Sequence, residues 1–387
     1  MIDDVLIVGA GPAGSVAAAV LARAGARVRL LDRATFPRDK LCGDTVNPGT
    51  LALLRRLGLS KPIDDHGLRV DGMRVTGPRG VAVEGRYPDG LHGRALVRRD
   101  MDWALLQLAI DAGARFEASA PVRRAIVEES EGSRSVRGVV VGLGGREREI
   151  RAPVTVAADG RRSTLAFGLG LARHPPRPRR WAIGAYYENA GGMSSLGEMH
   201  VRHGRYIGVA AVPGGIANVC LVKPFDEKGV GRPPAPYFAA LLTAELAGDP
   251  LLRARFADAR LVQPPVVLGP LAVDVSPTHL QGLLLAGDAA GFIDPMTGDG
   301  LRFAVQGGVL AAEAALQGLT EGWNEVHQRL NKARHREFAP KWRFNRALRA
   351  LVASSRGTEV AGIGARLAPG ILRRVIATAG DCAMASS

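Results

Sequence analysis

The chain has 387 residues, of which 47% are hydrophobic and 23% charged, ordinary proportions for a globular protein and enough apolar material to exclude disorder. One large domain or two interleaved ones are expected. The formal net charge is +14, but arginine outnumbers lysine 45 to 6 beside abundant alanine and glycine. The excess therefore points only weakly to nucleic acid or membrane.

The first predicted unit runs from Val5 to Arg33. Val5-Leu6-Ile7-Val8 reads as a strand, and Gly9-Ala10-Gly11-Pro12-Ala13-Gly14 as a turn. An alanine-rich run to Ala24 is a helix, and Val28 to Leu31 a second strand closing on Asp32-Arg33. This is a βαβ unit with a G-x-G-x-x-G fingerprint. Gly9 allows the sharp turn, Gly11 lets backbone approach a pyrophosphate, and Gly14 lets helix and strand pack. The helix N-terminus beyond Pro12 and Ala13 offers free N–H groups to the phosphates. Asp32 lies eighteen residues past Gly14, where an acid can bond a ribose, with Arg33 beside it. A dinucleotide site follows; which dinucleotide is open at this point. The uncharged run Val5 to Ala22 is also long enough to span a bilayer. The fingerprint accounts for it better, and the acidic start Met1-Ile2-Asp3-Asp4 has the wrong sign for a secretory segment. A cytoplasmic protein is expected.

Next comes a polar loop holding Lys40, Cys42 and Gly43, then a helix from Thr50 to Leu57. Here the chain resembles the class A flavoproteins of the p-hydroxybenzoate hydroxylase-like fold, and within them the geranylgeranyl reductase group, through the K-x-C-G pattern. The resemblance implies that this loop covers a flavin, that the dinucleotide is FAD, and that Lys40, Cys42 and Gly43 contact it. Read alone, Cys42 is a small buried hydrophobe. A catalytic thiol there is the lesser reading.

Residues 67–96 alternate in short β-like runs, an antiparallel insertion. Val97 then opens a helix through Ala112 with Gly113 as its C-cap. The family's arginine at this helix start, which reaches the FAD, corresponds to Arg98. Phe116 to Arg124 reads as a strand of the FAD domain, with Val122 placed against the cofactor. Val136–Leu143 and Arg146–Ile150 form a hairpin at Gly144-Gly145. Val154 to Ala158 is a buried strand ending in Asp159-Gly160. Alone this is a turn; by resemblance it is the D-G motif beside the FAD pyrophosphate and a nicotinamide groove.

Arg173 to Arg180 is a proline-punctuated basic connector. From Trp181 to Lys223 several β runs suit a sheet over a substrate pocket. Geranylgeranyl reductases carry Y-x-W-x-F-P here. This chain keeps Pro213 but places Gly208, Ala210 and Val212 at the aromatic positions, and the W-x-W-x-I-P of flavin halogenases is equally missing. Pro236 to Leu246 reads as a helix and Leu261 to Leu271 as a return to the sheet. Leu283 to Ala286 is a strand closing on Gly287-Asp288, and a helix runs from Leu301 to Leu316. By resemblance Asp288 binds the ribityl chain and Asp294-Pro295 lies against the isoalloxazine. Gly298, Asp299, Gly300 and Leu301 bring helix N–H groups to the flavin, where a helix N-terminus stabilises negative charge.

The tail from His327 to Arg356 is strongly basic, with Phe344, Leu348, Leu351 and Val352 on one helical face. It is expected to dock on the FAD domain, with peripheral contact to an anionic membrane as the alternative. Cys42, Cys220 and Cys382 form no C-x-x-C pair, so neither a disulfide framework nor a metal site is expected. His200 and His203 come closest to a ligand pair and read as surface histidines.

The expected fold is α/β. A Rossmann-like FAD-binding domain (1–66, 97–170, 272–330) is interrupted by a mostly antiparallel substrate domain (67–96, 171–271), and a C-terminal helical segment follows (331–387). The expected function is FAD-dependent hydride transfer to or from a hydrophobic isoprenoid or polyketide-like small molecule, with NAD(P)H as transient donor and no nucleic acid. The alternatives are an NAD(P)H-dependent monooxygenase hydroxylating an aromatic or polyketide-like substrate, and a non-enzymatic basic binding protein. No side chain stands out as the essential acid or base.

Overall fold

The computed structural model describes residues 3–41, 43–130, 133–176, 180–225, 235–293, 296, 298–353 and 369–385. The fingerprint folds as its glycines require. β1 (Val5–Val8) leads into α1 (Pro12–Arg23), and β2 (Val28–Leu31) returns parallel to β1, with Val5 opposite Val28. Proline at the first helical turn costs nothing, since its missing N–H would have had no acceptor. β3 (Thr45–Val46) precedes α2 (Pro48–Arg56), whose start is capped by Asn47 accepting from the Thr50 N–H at 2.8 Å. α3 (Lys61–His66), β4 (Leu68–Val70), β5 (Gly72–Thr76), β6 (Ala82–Arg86) and β7 (Gly93–Ala95) follow.

α4 (Arg98–Asp111) leads to β8 (Arg115–Glu117), then to β9 (Val122–Ser130), β10 (Ser133–Leu143), β11 (Arg146–Arg151), β12 (Val154–Ala157) and α5 (Thr164–Gly168). After β13 (Ala172–Arg173) come β14 (Arg180–Glu188), β15 (Leu196–Arg202), β16 (Arg205–Val212) and β17 (Ile216–Pro224). α6 (Ala235–Gly248), β18 (Arg260–Leu261), β19 (Val266–Leu268), β20 (Asp274–Val275) and β21 (Leu283–Leu285) complete the strands. The chain closes with α7 (Gly300–Thr320), α8 (Val326–Ala353) and two short helices, Pro369–Ala379 and Cys382–Ala385.

The first sheet is parallel, in the order β21-β12-β1-β2-β8. A parallel sheet is covered on both faces, so its strands carry continuous apolar runs. Val5 and Ile7 pack with α1, α4 and α7, while Leu6 and Val8 pack under the antiparallel sheet β11-β10-β9. One expectation fails here: Phe116 to Arg124 is not a single strand. β8 leaves the parallel sheet at Glu117, Ser119 takes a φ of +54°, and β9 begins a different sheet. Pro121 carries no N–H for a ladder.

The second sheet is mixed, in the order β18-β14-β17-β16-β15-β5-β6, with β19 also pairing β14. All its pairs are antiparallel except β15 with β5. Residues 67–96 thus divide, β5 and β6 joining this sheet while β4 and β7 pair with β3. Strand alternation separates two faces. Ile183, Ala185, Tyr187, Ile207, Val209, Val219 and Leu221 pack against Phe238, Leu242 and Leu246 of α6. The other face turns Ala182, Tyr206 and Val222 toward Leu41, Leu271 and Met296.

His200 corrects a second expectation. It is only 1% exposed, on the α6 side, with Thr76 Oγ1 2.9 Å from its Nδ1 and Glu198 Oε2 2.9 Å from its Nε2. Arg255 donates to both oxygens of Glu198, at 2.7 and 2.9 Å. Despite burial, the bonds from His200 and Arg255 hold the Glu198 carboxyl down at about 2. The parallel pairing of β5 with β15 brings Thr76 beside His200, a contact 124 residues apart in sequence. His203 is exposed, as expected.

α8 docks on the first sheet's helices through Val326, Leu330 and Phe338 and leaves Lys332, Arg336, Arg343 and Arg346 exposed. It passes residue 331 without a break. Phe344 and Leu348 are half-buried; the side chains of Leu351 and Val352 lie outside the described residues. Among the described residues no helix is long and apolar enough to cross a membrane.

Candidate cofactor and substrate site

The C-terminal edge of the parallel sheet gathers the predicted motifs. Gly9 has φ +99°, and a Cβ on it would lie 2.5 Å from the Ala158 carbonyl oxygen; one on Gly14 would lie 1.8 Å from the Gly9 oxygen. Both glycines are demanded by the protein's own packing. Gly11 is different: the nearest atom to its missing Cβ is Arg38 Nη2, at 3.6 Å. The space it leaves is open, as approach by a phosphate requires. No side chain caps α1, so the first N–H groups beyond Pro12, at Ala13 and Gly14, remain available. Asp32 is buried and closes the turn, Oδ2 accepting from the Ala10 N–H at 2.8 Å and Oδ1 from Ala34 at 2.9 Å. Each oxygen keeps a lone pair for a hydroxyl donor. Arg33 is exposed.

Start and end of the chain meet here. A Cβ on Gly287 would fall 2.8 Å from that of Ala13, and one on Gly308 of α7 would fall 2.5 Å from the Ala13 oxygen. Asp159 follows β12 and accepts from the Thr164 N–H at 2.7 Å. Its Oδ1 is buried with no hydrogen-bond partner among the described residues, and burial pushes its carboxyl pKa up. Gly160 has φ +83° and open space where a Cβ would be.

Four cations and two carboxylates share the floor of the site. Arg98, at the start of α4, is buried and grips Asp102 with two bonds of 2.7 and 2.9 Å; Arg38 Nη1 lies 3.2 Å from the same carboxylate. Lys40 is half-buried, and desolvation lowers its pKa, helped by Arg98 and opposed by Asp288. Asp288 is raised by burial, against the pull of Lys40, Arg98 and Arg161. Burial brings Arg161 down to about 10, and its Nη1 donates to the Pro270 oxygen at 2.9 Å. The excess of two positive charges matches a diphosphate, and an unpartnered carboxylate oxygen at Asp159 suits a hydroxyl donor. These residues fit FAD.

At α7 the sequence expectation needs refinement. Gly298 has φ +71°, and no side chain caps the helix. Gly300 and Leu301 therefore present uncapped N–H groups. Asp299, however, is buried and turns inward: Lys341 Nζ lies 3.0 Å from its Oδ1, and Asn345 donates to Oδ2 at 3.0 Å. Its carboxylate holds α8 rather than facing the site. Val122 opens β9, half-buried, two residues beyond Ala120, whose N–H donates to the Asp32 oxygen at 2.8 Å. Cys42, Asp294 and Pro295 lie outside the described residues; Gly43 is described and exposed.

Sequence reasoning missed Arg38, Asp44, Asp102 and Arg161. Asp102 had a signal, the i,i+4 spacing from Arg98 on a helix. Asp44 had only adjacency to the K-x-C-G pattern. It is fully buried, with φ +55°, and its Oδ1 accepts from the Arg98 backbone N–H at 3.2 Å. Its Oδ2 accepts from Tyr186 Oη at 2.6 Å and from Asn218 Nδ2. Burial pushes its carboxyl up to about 6, against these donors.

Between the mixed sheet and the cofactor loops lies an apolar cluster. Leu41, Ala182, Tyr206, Val222, Leu271 and Met296 are buried in it, with Met199, Cys220 and Phe292 half-buried beside them. Leu41 fills the place of a Cβ on Gly184, its Cδ1 1.9 Å away. Across Cys220, Gly208 is open, with no atom nearer than 3.9 Å to its missing Cβ. A cleft of about 280 Å³ opens between Leu68, Val70, Ser195 and Ala210, over β15 and β16.

The FAD binding domain family matches residues 3–235. A menaquinone reductase of Mycobacterium tuberculosis (strain ATCC 25618 / H37Rv) is 34% identical over 326 residues, covering 80% of this chain and 76% of its own. A digeranylgeranylglycerophospholipid reductase of Methanosarcina mazei is 30% identical over 333 residues, covering 82% and 76%. Among solved structures, a geranylgeranyl bacteriochlorophyll reductase-like protein from Thermoplasma acidophilum superposes with a TM-score of 0.77 at 23% identity, covering 92% of this chain and 89% of its own. A flavin-dependent brominase superposes at 0.79 with 20% identity, covering 99% and 94%. At such identities both structures speak to the fold alone.

Proposed function

The chain belongs to the FAD binding domain family, as an FAD-dependent oxidoreductase of the geranylgeranyl reductase-like group, and we propose that it reduces a carbon–carbon double bond in a hydrophobic, isoprenoid-bearing substrate. The observation that carries this reading is the apolar surface that the mixed sheet turns toward the cofactor loops. Its open floor at Gly208 leaves width for a ring system as well as a chain, which suits a quinone-headed lipid such as the one named for the mycobacterial relative.

FAD, when bound, supplies the hydride. The protein's residues do the remainder. Gly11 and the N-terminus of α1 receive the diphosphate, and Lys40, Arg38, Arg98 and Arg161 balance its charge. Asp32, Asp159 and Asp288 accept from sugar and ribityl hydroxyls. The uncapped N–H groups of Gly300 and Leu301 favour negative charge on the flavin. The buried apolar cluster beside the cofactor loops lowers the local dielectric, which strengthens these electrostatic contacts. NAD(P)H serves as a transient donor on this reading, since a single Rossmann-type sheet stands among the described residues. The basic face of α8, with Lys332, Arg336, Arg343 and Arg346, suits peripheral contact with the anionic membrane that would hold such a substrate.

A second reading, hydroxylation of an aromatic or polyketide-like substrate, draws on the same open floor at Gly208. The test is a product mass. FAD-loaded protein is reduced anaerobically with NADH or NADPH and given menaquinone or a geranylgeranyl lipid. A gain of two hydrogens is expected. A gain of one oxygen in air, with phenolic substrates, would replace this reading by the second. Protein that takes up no FAD would overturn both.

A further inference from the structure

α7 begins with an aspartate that does not do what an aspartate at a helix start ordinarily does. Asp299 directly precedes Gly300, the first residue of α7. From that place a carboxylate turns back and accepts from the second or third N–H of the helix, here Leu301 or Arg302. Asp299 makes no such bond. Its backbone is itself helical, at φ −79° and ψ −2°, and it is only 2% exposed. Lys341 and Asn345, one turn apart on α8, take the carboxylate instead, each at 3.0 Å. The glycines on either side, Gly298 and Gly300, have nothing within 4 Å of a missing Cβ. The backbone at the helix start is open on both sides of an acid that is tied away from it.

Lys341 is itself held in place. It is 6% exposed, and its ammonium donates to the Thr378 and Ala379 carbonyls, at the end of the helix Pro369–Ala379, at 2.7 and 2.9 Å. Asp381 Oδ1 lies 3.2 Å away. Asp381 is met in turn by Asn47 Nδ2 at 3.2 Å and Arg302 Nε at 3.8 Å, and a Cβ on Gly49 of α2 would strike it. The C-terminal helices are thus wedged against α2 and α7, and they fix the ammonium where it meets Asp299. A buried carboxylate that loses its cation needs another partner. The first N–H groups of its own helix are within its ordinary reach.

We propose that Lys341 is a positioning residue for the flavin. By holding the Asp299 carboxylate off the start of α7, it keeps the Gly300 and Leu301 N–H groups, and the positive end of the helix dipole, for negative charge on the cofactor. The inference rests on the seat of FAD at α7 given above and is independent of the substrate. A released Asp299 would occupy those N–H groups and set its own charge beside a flavin that must accept electrons. Both effects disfavour the reduced cofactor relative to the oxidised one.

Two measurements without substrate test this. On cofactor-free protein, amide hydrogen exchange across residues 298–304 is expected to be fast in wild type and slower in Lys341→Met, where Asp299 caps the first turn. With FAD bound, Lys341→Met should lower the ratio of reduced to oxidised cofactor affinity about tenfold, a fall of about 30 mV in the two-electron potential. Combining Lys341→Met with Asp299→Asn should restore the potential, because the charge to be held is gone; a merely structural loss would not be repaired this way. Asn345→Ala, which releases one oxygen only, should move the potential the same way by less, and it decides the matter if Lys341→Met does not fold. A potential unmoved in folded Lys341→Met, or in Asn345→Ala where that variant decides, would overturn the proposal and leave the reductase reading intact. So would a potential that falls as far in the double variant. Protein that takes up no FAD would overturn both.

Discussion

At the edge of the parallel sheet the site is shaped by backbone pressing on glycine; on the mixed sheet it is shaped by side chains that are small. Gly9, Gly14, Gly287 and Gly308 each stand where a Cβ would strike an atom of another motif, so the cofactor half tolerates one residue type at each position. Gly208 stands over open space, and Ala210 and Val212 share its face. There glycine is a choice about the ligand and not a demand of the fold. The difference teaches where to read function: a crowded glycine reports architecture, an open one reports what the pocket must admit.

Substitutions at four positions sharpen that contrast, in order of expected effect. Gly14→Val should abolish soluble folded protein, because the Gly9 oxygen 1.8 Å away is backbone that cannot yield. Gly11→Val should fold with an unchanged circular dichroism spectrum and lose FAD absorbance. Folded Gly14→Val protein that retains FAD would erase the distinction. The second test concerns Asp44, where the halves join. Its folded-state carboxyl, near 6, lies above the ordinary value of 3.8, so the native state binds the proton more tightly than the unfolded chain. Its contribution is full below pH 4 and is lost as pH rises through 6. Comparing urea midpoints, the stability of wild type relative to Asp44→Asn should fall by about 2–3 kcal/mol between pH 4 and pH 7. The smallest effect on stability belongs to Gly208→Ala: under about 1 kcal/mol by thermal melt, since no atom lies nearer than 3.9 Å to the missing Cβ. FAD affinity should be unchanged by it, whereas Gly208→Phe should raise KM for a ring-headed lipid at least about tenfold. A Gly208→Ala melt that drops like a core substitution would mean the floor is packed.

How much was legible follows from which interactions are local. The βαβ unit, the Arg98 helix, the hairpin at Gly144-Gly145 and the helix after Gly298 were all read correctly, because turn glycines and apolar periods act within a few residues. The same locality misled at Phe116 to Arg124, where a continuous β-like composition hides a change of sheet, and at His200, where polarity suggested the surface. Its burial depends on a parallel pairing with β5 that no local pattern encodes. Asp299 was placed at the right helix end, but Lys341 and Asn345 claim its carboxylate from 42 and 46 residues away.

The sequence by itself determined the FAD-binding fold and pointed to three segments for the dinucleotide, since the chemistry of glycine turns and strand-end acids is written in consecutive residues. Tertiary structure decided the charge balance of Lys40, Arg38, Arg98 and Arg161 against Asp102 and Asp288, the open floor beside Cys220, and the meeting of Asp44 with Tyr186 and Asn218 across 142 and 174 residues. Burial and long-range pairing set those properties. Both are sums over contacts that exist only once the two sheets have closed on each other.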